Sequence, residues 1–137
     1  MCRFAALIEM MGTDMKQNAL SSQSTDFAVE VVKLVKQLRQ KQEYVISSQF
    51  GRSGTSIGAN IREAQFAQSK SDFVSKLQIA LKEANESRYW LELLERTGYL
   101  DTRQYQALDE ACASLVSMLV ASIKTAKIIN PSPQATP

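Results

Sequence analysis

From Phe27 onward, apolar residues return every three or four positions. Phe27, Val31, Leu34 and Leu38 form one stripe, widened by Val32 and Val35. Side chains at that spacing share one face of an α-helix, so the pattern predicts a first helix over about residues 24–41. Phe50, Gly54, Ile57, Ile61 and Ala64 carry the rhythm through a second, about residues 44–68. No glycine or proline marks the turn between them, and that boundary is the least defined. The third runs over about residues 70–97, with Phe73, Leu77, Ala80, Ala84, Ser87, Leu91 and Leu94 as its seam. Ser69 caps it with Asp72 in a weak capping box, and Gly98 supplies a left-handed stop. Asp101 caps the next helix, with Gln104 reaching back and Leu100 set to pack on Tyr105. The fourth covers about residues 102–129 on a stripe of Leu108, Cys112, Leu115, Leu119, Ser122, Ala126 and Ile129, and Asn130-Pro131 ends it.

Isolated helices are marginal in water, so the four stripes must pack on one another. Short connections favour antiparallel neighbours, and the expected fold is all-α: an antiparallel up-down four-helix bundle. Residues 1–20 are expected to be poorly structured, 21–130 to form the bundle and 131–137 to be a flexible tail. Composition agrees. The chain has 137 residues, 45% of them apolar, and its three prolines are Pro131, Pro133 and Pro137. Nothing before residue 131 therefore breaks a helix. No apolar run approaches membrane-spanning length. The N-terminal stretch Phe4-Ala5-Ala6-Leu7-Ile8 lacks the marks of an export signal, so cytoplasm and no membrane are the expectation. Met15 is a plausible alternative start.

The chain contains no histidine. That excludes histidine bases, histidine metal ligands and Ser–His or Cys–His dyads. Cys2 and Cys112 do not make a disulfide framework, and Cys112 falls on the apolar stripe as a small core residue. Residues 51–58, GRSGTSIG, superficially look like a phosphate loop but lack a preceding strand and a closing Lys-Ser/Thr. Gly51, Gly54 and Gly58 lie at helical spacing and make a smooth groove, either for close packing or for an oligomer contact shared with Tyr89 and Trp90. Beside the third seam runs a second stripe of Ile79, Glu83, Glu86 and Trp90. Arg52, Arg62 and Asn60 face these carboxylates from the second helix, with Arg52 the first choice for Glu86. Arg52, Asn60, Glu63, Glu83 and Glu86 are expected to form a structural polar cluster. A carboxylate enzyme is the distant third reading, and no catalytic residue, metal site or cofactor is expected.

Net charge is +2, unevenly spread: residues 1–70 carry nine basic against six acidic residues, and 71–137 carry seven against eight. Lys33, Lys36, Arg39 and Lys41, with Arg62 on the second helix, are the candidate nucleic-acid contacts. The competing view is a solvated helix face. Tyr44, Tyr89 and Tyr99 are candidates for base stacking, although they sit near helix ends where core aromatics are common.

Several of these segments resemble a known family. They are Ser48-Gln49-Phe50, residues 52–61, Glu63-Ala64, residues 69–73, Lys76-Leu77, Ile79-Ala80, Lys82-Glu83, Glu86, Tyr89-Trp90-Leu91 and Gly98-Tyr99-Leu100. Together they are similar to the bacterial four-helix-bundle proteins, also called 23S ribosomal RNA intervening-sequence proteins. The resemblance covers about residues 17–128. It extends in fold to accessory proteins of diversity-generating retroelements, basic pentameric bundles that bind a reverse transcriptase and nucleic acid. It implies a ring-like homo-oligomer, a homopentamer, without catalytic residues. This chain departs from the pattern at Ala64, where many relatives have glycine, and in its modest net charge. The expected function is a non-enzymatic interaction module associated with RNA or DNA. The alternative is a structural scaffold for a protein partner without nucleic acid.

Overall fold

The computed structural model describes residues 14–129, which form α1 (Asp14–Gln40), α2 (Val45–Gln65), α3 (Lys70–Arg96) and α4 (Thr102–Ile129). Neighbouring helices run antiparallel. Gly51, Gly54 and Gly58 of α2 lie against Val35, Val31 and Ser24 of α1, so the register descends on one helix as it climbs on the other. Arg52 and Glu63 reach Glu83 and Lys76 of α3, and Cys112 of α4 lies beside Ala84.

The apolar stripes are the interior. Phe50, Phe73, Leu77, Leu91, Leu94, Leu115 and Leu119 are fully buried or nearly so. Each large side chain moved from water in this way stabilises the fold by about 1.5–3 kcal/mol. The α3 seam matches its expected positions residue for residue. On α4, Leu108 is only half-buried, whereas Ile123, off the expected stripe, is buried. A helix turns 3.6 residues per turn, so a long stripe drifts around it.

The first helix differs most from expectation. It begins at Asp14, not near residue 24, and Leu20 is completely buried. Residues 14–20 are therefore helical; residues 1–13 and 130–137, which carried the rest of the expected loose ends, lie outside the described residues. Ser24 hid this extension by interrupting the apolar run. It is fully buried, donates to the Ser21 carbonyl at 3.0 Å and faces Gly58.

The α1–α2 turn is built without glycine or proline. Gln42 takes φ +65° and the Glu43 amide donates to the Leu38 carbonyl at 2.9 Å, closing α1. Glu43 then turns its carboxylate onto α2: Oε2 accepts from the Val45 and Ile46 amides at 3.1 Å each, and Oε1 from Ser47 at 2.7 Å. An anion satisfying free amides at a helix N-terminus is favoured by both hydrogen bonding and the helix dipole. The other turns follow the expected chemistry. Ser69 Oγ accepts from the Asp72 amide at 3.0 Å, and Gly98 has φ +86°. Asp101 and Gln104 exchange side-chain bonds to each other's amides at 2.7 and 3.2 Å.

One sequence expectation is amended. α4 is long and apolar enough, by length and composition, to cross a bilayer, and a third of that stretch is buried inside the bundle. The cause is residues 111–123, which contain no Asp, Glu, Lys or Arg.

Candidate functional site

The glycine face of α2 is occupied by α1 of the same chain. A Cβ on Gly54 would stand 2.6 and 2.9 Å from the two methyls of Val31; one on Gly51 would lie 3.3 Å from Val35 Cγ2, and one on Gly58 3.3 Å from Ser24 Oγ. The groove thus brings two helices of one bundle close together and is not open to a partner subunit.

On the opposite side of α2, Arg52 joins the two carboxylates of α3. Its Nη1 donates to Glu83 Oε2 at 3.0 Å, and its Nη2 bonds Glu86 Oε2, which also accepts from Trp90 Nε1 at 2.9 Å. Trp90 packs edge-to-face with Tyr89, ring centroids 5.0 Å apart. Asn60 and Glu63 do not join this cluster. Asn60 donates to the Ser56 carbonyl of its own helix, and Glu63 pairs with Lys76 at 3.7 Å. The reason is rotational and axial: Asn60 and Glu63 lie two to three turns along α2 from Arg52, too far for the same guanidinium.

The Arg52 side chain is 49% exposed, against 13% for Glu83 and 28% for Glu86. The cluster is therefore partly solvated, and its energy lies nearer the surface-pair scale than the buried one. Glu86→Ala is expected to cost about 1–2 kcal/mol, since it also strips the Trp90 N–H of its acceptor. A double-mutant cycle of Arg52→Ala and Glu86→Ala by urea denaturation checks this; a coupling within error of zero would show the pair to be energetically idle. Both carboxylates are engaged by one arginine, and neither lines the cleft between α1 and α4. That cleft, about 470 Å³, runs between α1 and α4 over Phe27, Leu34, Leu100 and Leu108, with Asp26, Glu30 and Lys33 at its edge. Among the described residues no group of three or more His, Cys, Asp or Glu is placed to hold a metal ion.

Lys33, Lys36, Arg39 and Lys41 are all exposed along the second half of α1 and its turn. Lys33 pairs with Glu30 at 3.6 Å, and Arg39 donates to Ser48 Oγ at 3.4 Å. Lys36, Arg39 and Lys41 have no carboxylate partner among the described residues. Tyr44 follows this run and is exposed, as is Tyr89, while Tyr99 is half-buried. Arg62 is exposed but separate. Gly58 sits level with Ser24 and Ser48 with Arg39, so Arg62 lies roughly 25 Å along the bundle from Arg39 at 1.5 Å per residue.

Sequence reasoning missed three polar features. Glu43 caps α2, as described. Ser87 Oγ donates to Ser53 Oγ at 2.9 Å in the α2–α3 interface, so two small hydroxyls satisfy each other where the helices meet. Arg88 grips Asp109 with Nε and Nη2 at 2.8 and 3.1 Å, tying α3 to α4. That fork holds the Arg88 pKa above its ordinary value, and desolvation raises that of Tyr105. Next to it the Cys112 thiol, which donates to the Ala84 carbonyl at 3.2 Å, is pushed up to about 12 by burial. Cys112 is thus a core residue and not a nucleophile. Arg88 and Asp109 carry no local sequence signal of their pairing, because their register depends on the length of the α3–α4 turn.

Comparison with known proteins places this geometry. A solved structure from Bacteroides thetaiotaomicron, described as a protein of unknown function from the S23 ribosomal protein family, is 51% identical. It superposes with a TM-score of 0.78 over 80% of this chain and 98% of its own. Among curated proteins none matches. Residues 16–121, which span the four described helices but for the first two residues of α1 and the last turns of α4, match the family described as 23S rRNA-intervening sequence protein. The Arg52–Glu83–Glu86 cluster, the α1–α2 glycine contact and the exposed basic run are therefore features of a chain that belongs to the 23S rRNA-intervening sequence protein family.

Proposed function

We propose that this chain is a non-enzymatic, homo-oligomeric bundle that acts as an RNA-associated interaction module. The observation that carries the reading is the exposed run Lys33, Lys36, Arg39 and Lys41, three of whose cations lack a carboxylate partner among the described residues. Unneutralised side chains of this kind are available for phosphates, and the exposed Tyr44 ring beside them offers a stacking face. Arg62, far along the bundle, contributes only to a ligand long enough to span both. The family description ties its members to an intervening sequence of 23S rRNA, which favours RNA over DNA. Oligomerisation strengthens the reading, because several copies of a weak strip act with avidity. The resemblance described above implies five copies in a ring.

The strip offers charge without an element for reading base edges, so binding is expected to be largely independent of sequence. Each phosphate neutralised should lower log affinity by about 0.7–0.9 per log unit of salt. Filter binding of a single-stranded RNA at two salt concentrations, with wild type and a K33E/K36E/R39E variant, tests it. The variant should lose most of its affinity and flatten the salt slope. Equal binding by both proteins would reduce the strip to a solvated face. No binding by wild type at low salt would leave the protein-scaffold reading, which the apolar-floored α1–α4 cleft supports.

A further inference from the structure

The α2–α3 turn places its residues the wrong way round for burial. Ala67 is inside the core, while its neighbour Phe66 is 81% exposed. The turn itself does not call for an aromatic there. The Phe66 and Ala67 amides donate to the Glu63 and Ala64 carbonyls at 3.0 and 3.1 Å, closing α2. Ser69 caps α3, and Asp72 accepts from the Gln68 amide at 3.2 Å. Backbone bonds, two caps and a buried alanine therefore account for the connection. A large aromatic side chain left in water forgoes the stabilisation that burial would give it.

Cations stand around the ring. Arg62 precedes Phe66 by four residues, which puts both on one side at the end of α2, and Lys70 opens α3 four residues later. Arg62 is exposed and Lys70 half-buried. Lys124 and Lys127 are exposed on α4. Cys112 lies beside Ala84 and Asp109 beside Arg88, so the antiparallel register brings Lys127 level with Lys70. None of these four cations makes an ion pair among the described residues. The carboxylates that flank the turn are engaged: Glu63 holds Lys76 at 3.7 Å, and Asp72 holds the Gln68 amide.

We propose that this end of the bundle is a second contact for single-stranded RNA, in which a base stacks on the Phe66 ring and Arg62 and Lys70 meet the flanking phosphates. Every base has a flat π face, so stacking tolerates any sequence, as the basic strip of α1 does. The inference rests on the RNA association proposed above and adds an aromatic contact at the opposite end. With Ser48 level with Arg39, Phe66 lies roughly 27 Å along the bundle from that strip at 1.5 Å per residue. A stacked strand rises about 3.4 Å per nucleotide, so about eight nucleotides join the two contacts. A longer strand engages both and gains avidity. A lipid surface fits less well. Interfacial anchoring takes a broad apolar face, whereas Phe66 and Ile128, the exposed large apolar side chains here, stand singly on the α2–α3 turn and on α4.

Filter binding of a twenty-nucleotide oligouridine to the full chain tests it, with circular dichroism confirming that each variant is folded. Phe66→Leu keeps apolar bulk but removes the π face, so affinity should fall at least about fivefold. Phe66→Tyr keeps the ring and should bind as wild type does. R62E/K70E should weaken binding and flatten its salt dependence. With 4-thiouridine in the strand, irradiation should crosslink RNA to the tryptic peptide of residues 63–70. Crosslinks confined to other peptides overturn the inference. So does a Phe66→Leu chain that binds like wild type, or a Phe66→Tyr chain that loses as much as Phe66→Leu; the α1 strip then stands alone. Wild type that binds no oligouridine at low salt overturns the inference together with the proposal it rests on. Flotation with phosphatidylserine vesicles separates the remaining partner. Wild type carried up with the lipid, Phe66→Leu left behind and oligouridine binding equal in both would assign this end to a lipid surface and overturn the inference.

Discussion

Gly54→Ala is expected to destabilise the bundle, although alanine is the better helix former. Helix propensity alone favours the change by about 0.8–1.0 kcal/mol. Sterics oppose it, since the new Cβ would stand 2.6 and 2.9 Å from the methyls of Val31. Val31 is fully buried and β-branched, and a branched side chain in a helix has essentially one rotamer, so it cannot swing aside. The helices must separate instead, at an overpacking cost large enough to leave a net loss of about 1–3 kcal/mol. Thermal denaturation should show a Tm lower by roughly 4–12 °C. Gly51→Ala is the internal control. Its Cβ would meet only Val35 Cγ2 at 3.3 Å, at the half-buried edge, so the two effects nearly cancel. Combining Gly54→Ala with Val31→Ala should recover part of the loss, and strictly additive variants would refute the contact as the cause.

Glu43→Ala carries the second large effect. The residue is 8% exposed, and its carboxylate accepts from three successive amides, the last of them, Ser47, within the buried α1–α2 packing. Water can replace it at Val45, which is exposed, but not at Ser47, which is not. A buried donor left without an acceptor costs about 1–3 kcal/mol, and loss of the anion at the helix N-terminus adds to it. The expected total is about 2–3 kcal/mol by urea denaturation, with Glu43→Gln intermediate because it keeps an oxygen but not the charge. A Glu43→Ala chain as stable as wild type would show that the turn is held by its backbone bonds alone. The turn already bears the cost of Gln42 in the left-handed region, so Glu43 is where the sequence offsets it.

The bundle itself was legible in the residue order. Apolar spacing located the four helices, and Ser69, Gly98, Asp101 and Gln104 marked three of their ends through local hydrogen bonds that need no distant partner. The Arg52–Glu86 contact was also legible, because both residues lie beside neighbouring seams and long side chains bridge such edges. What failed did so for definable reasons. Ser24 concealed ten residues of α1, since a buried serine facing a glycine looks polar to any periodicity argument. Glu43 concealed the α1–α2 turn, because its role is visible only when the amides it caps are in place. Asn60 and Glu63 were grouped with Arg52 by sequence proximity, which ignores the axial rise of the helix.

By itself, then, the sequence determined that four helices form, which face of each is apolar, and that histidine-based chemistry is absent. Those properties are local: a periodicity of 3.6, a cap three residues away and a composition require no knowledge of neighbours. The tertiary structure decided what each polar or small residue is for. It closed the glycine groove with Val31 and spent Glu83 and Glu86 on Arg52. Among the described residues it left Lys36, Arg39 and Lys41 without a carboxylate partner. These depend on the rotation and register of one helix against another. Both are fixed by the packing of all four seams together, a condition that no single stretch of sequence contains.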